Sequence, residues 1–314
     1  MARPDYVLIA GTASGELARA IAAEAGLALA ACAIERFPDG EISVEIGDSV
    51  RRREVVLIQS TSPPVNDHLV ELALLADACR RAAAAHITAI VPYFGYARSD
   101  RRQGRRSPVS ARAAADLLEG AGIGHLVTVD VHAPQIEGFF RIPTDDVSAL
   151  GPLTDALGSV EPGTVIVAPD PGAVRRARNV SRRLACPVAL CLKQRLSGAE
   201  VEVTGVVGDV AGRSCVVVDD MISTGGTVVE SARALRAAGA RDVSAVLATH
   251  GVFAPQAVER LAGAGIGRII VTDTVAPAPG PPASTARIDL VPVAHLLANV
   301  IQRLESGESL RALG

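Results

Sequence analysis

Alternating strand and helix signals along the 314-residue chain predict an α/β protein of two tandem, duplicated domains, each a mostly parallel sheet flanked by helices. Three observations carry that prediction. Short runs such as Val55-Val56-Leu57-Ile58 and Val216-Val217-Val218 are apolar throughout, as strands buried on both faces must be. Longer stretches between them carry apolar residues at helical spacing. The third observation is an internal repeat. VLIAGTASGELARA from Val7 resembles VIVAPDPGAVRRAR from Val165, and VVLIQSTSPPVNDHL from Val55 resembles CVVVDDMISTGGTVV from Cys215. HITAIVPYF from His86 resembles DVSAVLATH from Asp242, again at an offset of about 160 residues, and no shorter solenoid period accompanies it. The expected domains are 1–147 and 148–314, with the boundary inside 145–152 and the terminal helix a candidate for packing back on the first domain.

The elements follow in order. Residues 6–10 read as a strand and 15–26 as a helix ending in Gly26. Residues 27–36 and 42–46 read as strands, the second with period-two alternation, joined through the turn signal Pro38-Asp39-Gly40. Strand 55–59 leads to a long helix over 66–84, with Asn66 as its expected N-cap. Strand 87–92, helix 109–121 and strand 126–129 complete the first series. The second series runs strand 164–168, helix 172–184, strands 188–192, 202–207 and 216–218, helix 228–238, strand 243–249, helix 255–262 and strand 268–271. The Pro- and Ala-rich residues 275–284 read as a loop and 293–305 as a terminal helix.

Chemistry concentrates in the stretch from Cys215 to Thr227. Asp219 and Asp220 follow an apolar run, at the strand end where open α/β sheets hold ligands. Ser223, Thr224, Gly225, Gly226 and Thr227 then turn into a helix. Small residues there leave backbone N–H groups bare for an anion, and three hydroxyls add donors. Two carboxylates beside a phosphate cradle suit a sugar phosphate. The first copy has Ser60-Thr61-Ser62-Pro63-Pro64 at this place, so it keeps the fold and loses the site.

Four further groups stand out. Phe37, Asp39, Gly40 and Glu41 form either a plain hairpin turn or a nucleotide-base loop with a stacking ring and two acceptors. Residues 93–106 hold five arginines, Arg98 beside Ser99 among them, and three of the chain's Phe and Tyr residues; such a loop suits single-stranded nucleic acid, a polyphosphate or effector anion, or a solvated face, and the net charge of −3 favours the anion over nucleic acid. His132 and Asp170 each lie just past a strand end. They are ordinary loop residues, or they share Mg²⁺ with phosphate oxygens, since Mg²⁺ keeps waters and needs few protein ligands. Lys193 and Arg195 open a segment after strand 188–192. Lys193 is the single lysine among 31 Lys+Arg residues, in a chain that uses arginine at every other basic position. An ammonium and a guanidinium do different work at a phosphoryl centre, where both neutralise developing charge.

Composition narrows the classes. A net charge of −3 argues against a general nucleic-acid binder. The five cysteines are scattered, with no CxxC pair, which argues against a zinc site or disulfide framework and for a reducing cytoplasm. The N-terminal residues lack a signal-peptide core, and no uncharged apolar run is long enough for a bilayer. No GxxxxGK[ST], GxSxG or HExxH motif occurs.

Taken in order, FPDGE from Phe37, IQSTSPPVNDHLVEL from Ile58, PYFGYARSDR from Pro92, DVHAPQIEGFF from Asp130, APDPGAVRRAR from Ala168, KQR from Lys193 and VVVDDMISTGGT from Val216 resemble the ribose-phosphate diphosphokinase (PRPP synthetase) family. The last motif resembles the PRPP loop of the phosphoribosyltransferase-type fold. The resemblance implies two phosphoribosyltransferase-like domains and diphosphoryl transfer from ATP to the C1 hydroxyl of ribose 5-phosphate. It implies Lys193 and Arg195 as catalytic, and Phe37, Asp39, Gly40, Glu41, Arg98 and Ser99 as ATP-binding. It implies Asp219, Asp220, Ser223, Thr224, Gly225, Gly226 and Thr227 as ribose 5-phosphate-binding, and His132 and Asp170 as Mg²⁺ positions. A cytoplasmic homo-oligomer, dimer-based and up to a hexamer, is implied, with the ATP site shared between subunits and with neither nucleic acid nor membrane as partner. Ser223 stands where many members carry an acid, and Gln194 where many carry a base. The alternatives are a phosphoribosyltransferase that consumes PRPP and a non-catalytic subunit of the synthetase.

Overall fold

The first strand, β1 (Tyr6–Ala10), pairs in parallel with β4 (Glu54–Ile58), placing Val7 opposite Val55. The computed structural model describes residues 6–102, 104–195, 201–277 and 286–313, with backbone alone for 193–195 and 201–204. Two compact units result: Met1–Ser148 with Thr274–Ala276 and Val293–Gly314, and Ala149–Asp273 with Pro277–Pro292.

The first unit runs β1, α1 (Gly15–Ala25), a two-stranded antiparallel hairpin of β2 (Cys32–Arg36) and β3 (Ile42–Ile46), β4, α2 (Val65–Arg81), β5 (His86–Val91), α3 (Ser110–Ala121), β6 (His125–Val129) and β7 (Thr144–Val147). Its main sheet has the order β1-β4-β5-β6-β7, parallel throughout. The second unit runs α4 (Leu150–Leu157), β8 (Val165–Ala168), α5 (Val174–Leu184), β9 (Val188–Arg195), β10 (Val201–Val207), β11 (Ser214–Ile222), α6 (Gly226–Ala237), β12 (Asp242–Gly251), α7 (Ala257–Gly263), β13 (Arg268–Thr272) and β14 (Arg287–Val291). Its sheet order is β10-β9-β8-β11-β12-β13-β14, with β10 alone antiparallel. The final helix, α8 (Ala294–Ser306), belongs to the first unit.

The duplication is visible in the registers. Val7, Val55 and Ile87 lie side by side across β1-β4-β5, and Val165, Cys215 and Val243 lie side by side across β8-β11-β12. The apolar runs are explained by two-sided burial. Val165, Val167, Cys215 and Val217 enter one core with Val228 and Leu235 of α6. Their neighbours Ile166, Ala168, Val216 and Val218 enter the opposite core with Leu153 of α4 and Val180 of α5. Period-two alternation thus serves both faces at once.

Four local expectations differ from the structure. Asp219 and Asp220 do not follow their strand but lie within it, because β12 runs on beside β11 and pairs Asp219 with Ala248 and Ile222 with Gly251. Strand 188–192 continues to Arg195, because β10 returns antiparallel and pairs Val201 with Arg195. The first long helix starts at Val65 after Pro64, and Asn66 is no cap: its Oδ1 accepts the Tyr96 hydroxyl. Residues 27–31 do not extend β2: Leu29 makes only an isolated parallel bridge to Leu8, and the Ala30 N–H donates to the Leu8 carbonyl.

Candidate active site

The second unit has one topological switch point. From β8 the chain moves through α5 to β9 on one side; from β11 it moves through α6 to β12 on the other. The crevice between the carboxyl ends of β8 and β11 is where such sheets take ligands. Three carboxylates converge there. Asp219 and Asp220 are 8% and 4% exposed. Asp170, just past β8, accepts the Ala173 N–H (3.2 Å) and so starts the short 3₁₀ turn Pro171–Ala173 that leads into α5. Burial, then the Asp220 charge, then Asp170, push the Asp219 carboxyl well above the usual carboxylate range. The Asp220 N–H donates to Asp219 Oδ1 (2.9 Å) and offsets this only in part. A crevice so charged favours a cation or hydroxyl donors.

Across from the acids, Ser223–Thr227 form the loop that opens α6. Gly225 is its N-cap, at φ +75°, and the first turn of α6 presents N–H groups without intrahelical acceptors. The loop is braced from behind. Phe253 N–H donates to the Ile222 carbonyl (3.0 Å) and Ala254 N–H to the Ser223 carbonyl (3.0 Å). Arg260 Nη1 donates to the Thr224 carbonyl (3.0 Å). Sequence reasoning missed Arg260, since nothing in α7 marks it apart from any exposed arginine. A methyl group at Gly225 would meet Leu261 Cγ at 3.1 Å as well as an unfavourable φ. Gly225→Ala is expected to destabilise the chain by about 1–2 kcal/mol, read as a lowered midpoint in a thermal melt. A midpoint equal to the parent's would show that the loop relaxes freely.

In the first unit a second group of loops gathers at the ends of β5 and β6. Asp130, buried and non-glycine, sits at φ +44°, a conformation held by its neighbours. Ser148 Oγ donates to Asp130 Oδ1 (2.8 Å), and Asp146 Oδ1 accepts Val131 N–H and Thr128 Oγ1–H, both at 2.9 Å. His132 follows and is exposed. Gln135 Nε2 donates to Asp100, which ties the His132 loop to the loop carrying Arg98 and Ser99. That loop packs closely: a Cβ on Gly95 would lie 2.5 Å from the Thr61 carbonyl oxygen.

The remaining candidates are placed separately. Phe37–Glu41 is a tight hairpin tip, with Phe37 N–H on the Glu41 carbonyl (2.8 Å) and Glu41 N–H on Asp39 Oδ1 (3.1 Å). Phe37 is 46% exposed, an apolar ring held out to solvent. Lys193 and Arg195 lie in β9, their backbones opposite Val203 and Val201; their side chains fall outside the described residues, as does the β9–β10 connection at 196–200. His132 belongs to the first unit and Asp170 to the second.

Known proteins resemble this chain over nearly its whole length. Residues 6–122 match the N-terminal domain of ribose phosphate pyrophosphokinase, and residues 193–313 match the phosphoribosyl synthetase-associated domain. The ribose-phosphate pyrophosphokinase of Bradyrhizobium diazoefficiens is 43% identical over 310 residues, covering 98% of this chain and 96% of that one. That of Vibrio parahaemolyticus is 41% identical and covers 99% of each. The crystal structure of phosphoribosylpyrophosphate synthetase from Mycobacterium smegmatis superposes with a TM-score of 0.87 at 38% identity, covering 96% of this chain and 99% of that one.

Proposed function

Because the chain belongs to the ribose-phosphate pyrophosphokinase family, we propose that it transfers the diphosphoryl group of ATP to the C1 hydroxyl of ribose 5-phosphate, giving PRPP and AMP. The observation that supports this reading best is the second-unit crevice, where buried acids face a braced anion loop at a topological switch point. In this reading Ser223, Thr224, Gly225, Gly226 and Thr227 hold the 5-phosphate, and Asp219 and Asp220 accept hydrogen bonds from the ribose hydroxyls. The C1 oxygen attacks the β-phosphorus in line, the bond to the α-phosphate oxygen breaks, and AMP leaves while the hydroxyl proton passes to solvent. Chemistry of this kind rests on positioning and charge neutralisation. Lys193 and Arg195 supply positive charge to the transferring group. Arg98 and Ser99, on the loop tied to His132, and Phe37, Asp39, Gly40 and Glu41 on the hairpin tip, hold the adenine nucleotide.

The acids also fit a divalent cation by the chemistry of their donors. Asp170, Asp219 and Asp220 offer carboxylate oxygens, the ligands Mg²⁺ prefers, and Asp219 is costly to ionise without a cation. No group of three or more His, Cys, Asp or Glu side chains could hold a metal alone among the described residues. The resemblance assigns Mg²⁺ positions to Asp170 and, separately, to His132, each completed by water and phosphate oxygens. When bound, the ion would screen the phosphate charges. The exposed Phe37 ring supports a homo-oligomer in which the hairpin tip of one copy completes the nucleotide site of another. No helix among the described residues is long and apolar enough to cross a membrane. The five free thiols accord with the reducing cytoplasm.

The test is product analysis by ³¹P NMR with MgATP and ribose 5-phosphate, first without added inorganic phosphate. Equal amounts of AMP and PRPP are expected. Turnover only after phosphate is added would make the enzyme phosphate-dependent. No turnover in either condition, from folded protein, would overturn the synthetase reading.

A further inference from the structure

The duplication gives the first unit a crevice of its own, between β1 and β4, and its contents differ from those of the second. Counting from the paired registers, Thr12 corresponds to Asp170, Gln59 to Asp219, Ser60 to Asp220 and Glu71 to Ser231. The acids of one crevice are thus neutral donors in the other, and a carboxylate has arrived from the helix behind.

That carboxylate is held as a bound anion would be. Glu71, on α2, is 3% exposed. Its Oε1 accepts Thr12 N–H (2.7 Å) and Gln59 Nε2–H (2.8 Å), and its Oε2 accepts Thr12 Oγ1–H (2.6 Å). The Gln59 amide cannot turn round without loss, because its Oε1 accepts Ala13 N–H (3.0 Å), and its side chain fills the space over Gly11, where a Cβ would lie 2.4 Å away. Three donors from the β1–α1 turn and the end of β4 therefore read one two-oxygen anion. No salt bridge to Glu71 occurs among the described residues, so neutral donors face its charge. In the second unit, Ser231 is too short to reach so far and bonds the Thr227 carbonyl of its own helix.

We propose that the first-unit crevice, lined by neutral donors where its second-unit counterpart is lined by acids, is an anion cage filled by the Glu71 carboxylate, and that it takes a small free carboxylate once that side chain is shortened. The donors are fixed by contacts independent of Glu71: Ala13 N–H holds the Gln59 amide, Ser14 Oγ accepts Ser60 N–H (2.8 Å), and Gly11 N–H donates to the Ile58 carbonyl (3.0 Å). Removing the occupant leaves the cage standing, with buried donors unsatisfied. The inference does not depend on the reaction proposed above.

The experiment is chemical rescue of Glu71→Ala in the full chain, followed by thermal melts in formate and in chloride at equal ionic strength. The variant is expected to melt about 5 °C or more below the parent. Formate at about 0.1 M is expected to restore roughly half of that loss in a saturable way, as a ligand of the native state does. The parent and Glu71→Gln, whose crevice stays filled, should respond alike to both salts. Adding Gln59→Ala to Glu71→Ala should abolish the specific response. Equal effects of formate and chloride on Glu71→Ala would overturn the proposal. If Glu71→Ala is insoluble, refolding from urea decides: formate-specific recovery supports the crevice, and equal failure in both salts overturns it.

Discussion

Arginine in place of Lys193 is expected to lower kcat by about 10²- to 10³-fold, with the thermal midpoint and nucleotide affinity little changed. The substitution keeps the charge and changes its form. Lysine offers a compact, rotatable ammonium; arginine offers a planar fork that must meet its acceptor in one orientation. In a chain whose other basic positions are all arginine, Lys193 is the one place that kept the point charge. Its backbone lies in β9, two residues before Arg195 at the end of that strand. Steady-state kinetics of Lys193→Arg and Lys193→Ala decide the matter. If charge alone mattered, arginine would retain near-normal turnover and only alanine would fail. If the form of the cation matters, both variants lose kcat, with KM for ribose 5-phosphate nearly unmoved.

The sheet cores were legible because two-sided burial writes an unbroken apolar run. Val216–Val218 and Val55–Ile58 show such runs, and so each became a strand at the expected place. Elements without that signature escaped. β7 carries Asp145 and Asp146 and lies at the sheet edge, where one side needs no apolar partner. α4 contains Gly151 and Pro152, which read as a linker; in its first turn a proline loses no hydrogen bond. β14 is five residues long and alternates Arg287, Ile288, Asp289, with its acid paired to Arg268 and Arg287. Each miss is a case where a tertiary neighbour supplies what local pattern withholds.

The candidate site was legible to the extent that its residues are contiguous. Asp219 through Thr227 share one strand–loop–helix, so their joint chemistry could be read from spacing. What braces them could not. Arg260 and Phe253 come from the segment after β12 and reach the loop only through the fold. The same holds for Ser148, which fixes the strained Asp130 two residues before His132. Nothing in the sequence of α2 marks Glu71 apart, and its carboxylate meets Thr12 and Gln59 only through the fold. Contacts made across the sheet, and occupants that substitute for a ligand, leave no periodicity to read.

Asparagine in place of Asp219 is expected to stabilise the metal-free protein while weakening ribose 5-phosphate binding at least tenfold. Burial, Asp220 and Asp170 raise the Asp219 carboxyl well above its ordinary value of 3.8. Below that value the folded and unfolded chains both hold the proton. As pH rises past it, the unfolded chain releases the proton while the folded chain retains it, so stability falls with pH. Above the raised value the deficit stays constant. Asparagine carries no such penalty, and its carbonyl can still accept the Asp220 N–H. Melts in EDTA should therefore show the variant above the parent at pH 7 to 8, with the difference closing near pH 4. Calorimetry with ribose 5-phosphate supplies the other half. A variant less stable than the parent at pH 7 would mean that unseen partners hold Asp219 ionised, and unchanged affinity would remove it from the ribose site. Gain in one measurement and loss in the other is the mark of a residue kept for its ligand at the expense of the fold.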